Sequence, residues 1–64
     1  MNNFYLTFGQ NHPQKDGYIL VLAVDYLAAR KKVFEIYDER WANLYDEDDW
    51  NSEHYPAGEL GVLK

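Results

Sequence analysis

The segment YILVLAVDYLAARKKVFEIYDE, residues 18–39, changes its periodicity once, at Asp25. Before that point, Tyr18 to Val24 is an unbroken apolar run rich in branched side chains, and it reads as a strand. After it, Tyr26 to Glu39 contains no Gly or Pro and draws on Ala, Leu, Arg, Lys and Glu, which are good helix formers. Tyr26, Ala29, Val33 and Tyr37 recur at intervals of three and four, with Phe34 and Ile36 flanking them. That is one apolar stripe on a helix, and it leaves Arg30, Lys31, Lys32 and Glu35 to water. Asp25 occupies the junction, where a short carboxylate accepts from the free N–H groups of the first turn.

Toward the N-terminus, Phe4-Tyr5-Leu6-Thr7-Phe8 is a second run of aromatic and branched residues, stopped by Gly9. Gln10 to Gly17 carries Asn11, Pro13, Asp16 and Gly17, which is turn chemistry, so the two runs are expected to pair antiparallel. Toward the C-terminus, Trp41 to Tyr45 reads as a third strand. Asp46 can cap a short turn through Asp49, Asn51 to Gly58 is loop, and Leu60 to Leu63 reads as a short last strand. The order β-β-α-β-(β) predicts a small two-layer α+β domain over residues 1–64, with one helix packed on a mostly antiparallel sheet.

Size and composition narrow the range further. A 64-residue chain buries only about 60% of its unfolded surface, so every large side chain counts. Eleven aromatic residues supply that burial and argue against disorder, while the absence of cysteine removes disulfides and thiolate metal sites. No run approaches the roughly 20 apolar residues of a bilayer span, and the N-terminus lacks the order of a signal peptide. A soluble, cytoplasmic protein is the expectation.

Charge is divided unevenly. Residues 1–34 hold four cations against two acids, a net of +2, whereas residues 35–64 hold two cations against nine acids, a net of −7. Such a balance repels phosphates, since affinity for DNA rests on Lys and Arg displacing counterions, and it excludes direct nucleic-acid binding as an expectation.

Two features point to a partner. The strand Tyr18–Val24 is apolar on both faces, yet a one-helix domain covers only one side of its sheet. If Ala42 and Leu44 face the helix, then Trp41 and Tyr45 join Tyr5 on the bare side, together with one face of the second strand. An uncovered patch of that kind marks an interaction site, and a homodimer joined through it is one expectation, with Val21 and Tyr45 as contact positions. The alternative is that the C-terminal segment with Trp50, Tyr55 and Leu60 folds back over it.

The second feature is the acidic run Asp46-Glu47-Asp48-Asp49. It lacks the alternating ligands, turn Gly and distant Glu of a calcium loop, and a solvated turn explains it without any ligand. Joined to Glu35, Asp38, Glu39 and Glu53, however, it puts eight acids within nineteen residues, opposed only by Arg40. A surface so charged steers a basic partner, and flanking Trp and Tyr side chains are favoured anchors. The expected partner-binding residues are therefore Glu39, Trp41, Tyr45, Asp46, Glu47, Asp48, Asp49 and Trp50.

The chemistry of catalysis is not visible. His12 and His54 lie far apart in loops, the lone Ser52 is outside any nucleophile motif, and the glycines form no phosphate loop. No enzyme, metal or cofactor is expected. The competing expectation is a small-ligand binder or sponge, with a tyrosine-rich pocket where two copies meet.

Phe4-Tyr5-Leu6-Thr7-Phe8-Gly9, Gly17-Tyr18, Ala29-Arg30, Val33-Phe34, Tyr37, Trp41-Ala42 and Tyr45 together resemble a group of short proteins encoded by phages and prophages of Gram-positive bacteria. The likeness runs over residues 4 to 50 and carries no catalytic residue. Where members of that group carry Gly after the helix, this chain has Asp38, one of the residue types that best tolerates a left-handed backbone. The resemblance implies a context: small acidic phage proteins are often inhibitors of host machinery. Anti-CRISPR and other anti-defence proteins are among them, and some imitate DNA. A host protein with a basic surface is the partner it implies.

Overall fold

A computed structural model describes residues 1–64. Four strands and one helix follow in the order β1 (Asn2–Thr7), β2 (Gly17–Ala23), α1 (Tyr26–Tyr37), β3 (Asn43–Asp46) and β4 (Gly58–Leu63), with a 3-10 turn at Ser52–His54 before β4. They form one sheet in the order β3-β1-β2-β4 with α1 on one face, a small α+β domain. The β1–β2 and β1–β3 pairs are antiparallel, while β4 runs parallel to β2, so the sheet is mixed. No helix is long and apolar enough to cross a membrane.

The core lies between sheet and helix. Phe4, Leu6 and Phe8 from the β1 side, Ile19, Val21 and Ala23 from β2, and Leu44 from β3 meet Ala29 and Val33 of α1. Small residues on the helix let it approach closely, so Leu6, Val21, Ala29 and Val33 lose essentially all contact with water. Tyr26 and Tyr37 close the two ends of the stripe, edge-on to Phe4 at 6.1 Å and to Phe8 at 5.7 Å. The helix starts as its sequence requires: Asp25 is extended, and its Oδ1 accepts the Ala28 N–H at 2.8 Å.

This arrangement corrects three expectations. Val21 faces the helix at the centre of the core and is no surface contact position. Trp41 precedes β3, so strand alternation does not reach it; it packs on the helix side, edge-on to Phe34 at 5.4 Å, and its Nε1 donates to the Asp38 carbonyl at 2.9 Å. Lys32 is half-buried rather than solvated. Its Nζ donates at 2.7 Å to the carbonyl of Leu22, one residue beyond the last β2–β4 pair, where the sheet leaves that group without a strand partner.

The helix ends at Asp38, whose φ of 57° and ψ of −115° match the first central position of a type II′ turn. The Arg40 N–H donates to the Tyr37 carbonyl at 3.0 Å, closing that turn. Glycine is the residue this conformation favours, and a side chain there costs about 1–3 kcal/mol. Asp38→Gly is accordingly expected to stabilise the domain by about 1 kcal/mol, seen as a melting temperature about 4–8 °C higher. An unchanged or lower melting temperature would show that the Asp side chain compensates its own strain.

The strand β4 joins the sheet with one irregularity. Tyr18 pairs with Glu59 but Ile19 pairs with Gly61, so Leu60 is the extra residue of a bulge. Gly17 makes room for it: a Cβ there would stand 2.5 Å from the Leu60 side chain.

Candidate functional site

The acidic run lies on the turn that leaves β3. Asp46 Oδ1 accepts the Asp49 N–H at 3.0 Å and fixes the turn, which aims its acids toward two concavities on either side.

The first is an open groove of about 380 Å³. Strand order explains how it forms. The start of β1 lies between the end of β2 and the end of β3, so Asn2 and Asn3 are flanked by Asp25 and Tyr26 on one side and by Asp46, Glu47 and Asp48 on the other. Phe4 completes the lining. Asn2 Nδ2 donates to the Val24 carbonyl and Asn3 Nδ2 to Glu47 Oε1, both at 2.9 Å, which ties the three segments together. Four carboxylates rim the groove and no Lys or Arg lines it.

The second concavity, about 240 Å³, opens on the sheet face away from the helix and is lined by Tyr45, Asp49, Trp50, Asn51, His54 and Tyr55. Here the C-terminal segment folds back as a strap. Trp50 stacks on Tyr5 at 4.7 Å with planes 5° apart and on Tyr55 at 4.9 Å with planes 19° apart. It also meets Tyr18 nearly edge-on at 4.8 Å and Tyr45 at 5.8 Å. Asn51 Oδ1 caps the following turn by accepting the Glu53 N–H, and the Ala57 N–H donates to the Asp16 carbonyl, which fastens the far end. Partial burial, and after it the Glu47 carboxylate, push the Tyr5 phenol above its ordinary value. Burial and the adjacent Tyr55 do the same for Tyr45. Both phenols therefore stay neutral in the folded protein and add no charge to this face.

The candidate residues are thus divided. Asp46, Glu47 and Asp48 share the groove; Asp49, Tyr45 and Trp50 line the second concavity. Trp50 and Tyr45 lie on the face opposite the helix, as the alternation of Leu44 and Tyr45 implied, but they hold the strap down rather than standing bare. Glu39 and Trp41 belong elsewhere. They follow the C-terminal end of α1, whereas the groove adjoins its N-terminal end, about 18 Å away for a 12-residue helix. The eight acids consequently form no single surface, because Glu35, Asp38 and Glu39 sit with that far end.

Asp25, Tyr26, Asn2 and Asn3 are the groove residues that sequence reasoning passed over. Asp25 was legible as a helix cap, and nothing in the chain's order signals that it lies across from Asp46 and Asp48. His12 and His54 remain separate: His12 stacks on Phe8 at 4.4 Å, and its Nδ1 accepts the Gln14 N–H, while His54 borders the second concavity.

No family model, curated protein or solved structure matches the chain.

Proposed function

We propose that this chain is a non-enzymatic interaction protein that occupies a basic surface of another protein through its acidic groove. The observation carrying the proposal is the convergence of Asp25 with Asp46, Glu47 and Asp48 around one concavity floored by aromatic side chains and free of lining cations. Carboxylates at that density raise the local concentration of a basic partner, and exclusion of water near Phe4 and Tyr26 strengthens each contact once made. The mechanism is stoichiometric occupation: steering first, then close contact of partner Arg or Lys side chains with the rim.

The resemblance to phage and prophage proteins directs the choice of partner. A host protein whose work depends on a positively charged nucleic-acid groove, such as a CRISPR effector or another anti-phage nuclease, is the first class to test. The chain then acts as an inhibitor in the host cytoplasm by taking the place of DNA or RNA in that groove.

The test uses Glu47→Gln with Asp48→Lys, which keeps an oxygen at position 47 for the Asn3 bond and leaves the Asp46 turn bond and the Asp25 cap intact. Affinity for a nuclease of that class is expected to fall more than tenfold in the double variant. For the wild type it should also fall between about 50 mM and about 300 mM salt, since exposed charges are screened over the Debye length. An affinity that ignores both salt and charge reversal overturns the proposal.

A further inference from the structure

The two edges of the sheet are guarded very differently. Strand β3 is four residues long, ends in Asp46 and runs directly into Glu47, Asp48 and Asp49. Pairing two such edges would set like charges against each other, which natural sheets use to prevent association. Strand β4 is six residues long, holds neither Pro nor Lys, and has Glu59 as its single charge. No loop donates to or accepts from its backbone between Glu59 and Leu63, so its outer N–H and C=O groups face solvent. Leu60 and Val62 stand 40% and 47% exposed on it.

We infer that two copies of this chain join along β4, edge to edge and antiparallel, making one continuous eight-stranded sheet from the two four-stranded ones. The two-fold axis then stands perpendicular to the sheet, so both helices lie on the same face. A second copy fits this edge for reasons of charge as well as hydrogen bonding. Each chain carries a net charge of −5, and the acidic turn lies at β3, on the opposite edge of the sheet. Lys32, at the Leu22 carbonyl just past the end of β4, and Lys64 put cations beside the seam. Pairing along β4 is therefore less opposed by self-repulsion than pairing along β3.

Packing across the seam follows from the bulge. Val62 pairs with Leu20 and extends the row Tyr45-Tyr5-Leu20-Val62 on the strap side, so it meets the same row of the second copy. Leu60, resting over Gly17, presents its exposed part to the seam at the next level. The acidic grooves lie away from the contact, so the pairing is independent of the function proposed above.

Sedimentation velocity on the full chain from about 1 µM to about 1 mM tests this, because a seam of this size makes a weak dimer. The wild type is expected to shift from monomer to dimer across that range. Val62→Lys, at an exposed position, should weaken the dimer more than tenfold while its thermal melt stays that of the wild type. Amide exchange at Glu59–Leu63 of the wild type should slow as concentration rises, which decides the matter even if the variant folds poorly. A monomer at every concentration overturns the inference. So does a dimer indifferent to Val62→Lys with unprotected β4 amides.

Discussion

Val21→Lys is expected to abolish folding. Val21 sits on a central strand with no exposed surface, enclosed by the sheet and by α1. The substitution removes about 1.5–3 kcal/mol of apolar burial and forces an ammonium into a site with no partner. A 64-residue domain has a total stability on the order of 3–10 kcal/mol, so the combined cost exceeds what the fold can lose. Far-UV circular dichroism at neutral pH should show an unfolded chain. A folded, soluble Val21→Lys protein would mean that β2 presents the opposite face to the helix. The contrast with Val62→Lys is informative, since Val62 lies in the neighbouring strand and should accept lysine without loss of structure.

Trp50→Ala is expected to cost about 3 kcal/mol, at the low end for truncating a large aromatic side chain because part of the indole stays in water. Trp50 is the common neighbour of Tyr5, Tyr18, Tyr45 and Tyr55. Removing it leaves four tyrosines without their shared contact and releases the strap that covers the second face of the sheet. For a domain this small the melting temperature should drop by about 12–24 °C. Trp50→Phe, which keeps a stacking ring, should recover a large part of the loss. A melting temperature within about 3 °C of the wild type would show that the strap contributes nothing to stability, contrary to the stacking geometry.

Much of this architecture is legible in the sequence. The run Tyr18–Val24, the carboxylate at Asp25 and the stripe through Ala29 and Val33 are local signals, and each acts within a turn or a strand. The double-sided character of β2 was readable too, because Ile19, Val21 and Ala23 serve the helix while Tyr18 and Leu20 serve the strap side. What could not be read was which set belonged to which layer. That choice depends on how closely a helix can approach, and small residues at Ala23 and Ala29 settle it only once both elements are in place.

Trp41 shows a second limit. Its spacing from Tyr45 fits strand alternation, but the type II′ turn at Asp38 turns the chain before β3 begins, and periodicity carries no information across a turn. The groove shows a third. Asp25 and Asp48 are 23 positions apart and meet only because β1 inserts between β2 and β3, a fact of strand order. The parallel attachment of β4 belongs to the same class, since it spans the helix, β3 and the strap.

The positions of the two tryptophans have a practical use. Trp41 lies in the helix layer and Trp50 in the strap layer, with the sheet between them. The molecule therefore carries two intrinsic fluorophores that report on different sides of one thin structure. Replacing either by Phe leaves a single emission signal, one following the exit of the helix and the other following the strap. Light from one indole at a time can then tell whether a bound guest disturbs the front of the molecule or its back.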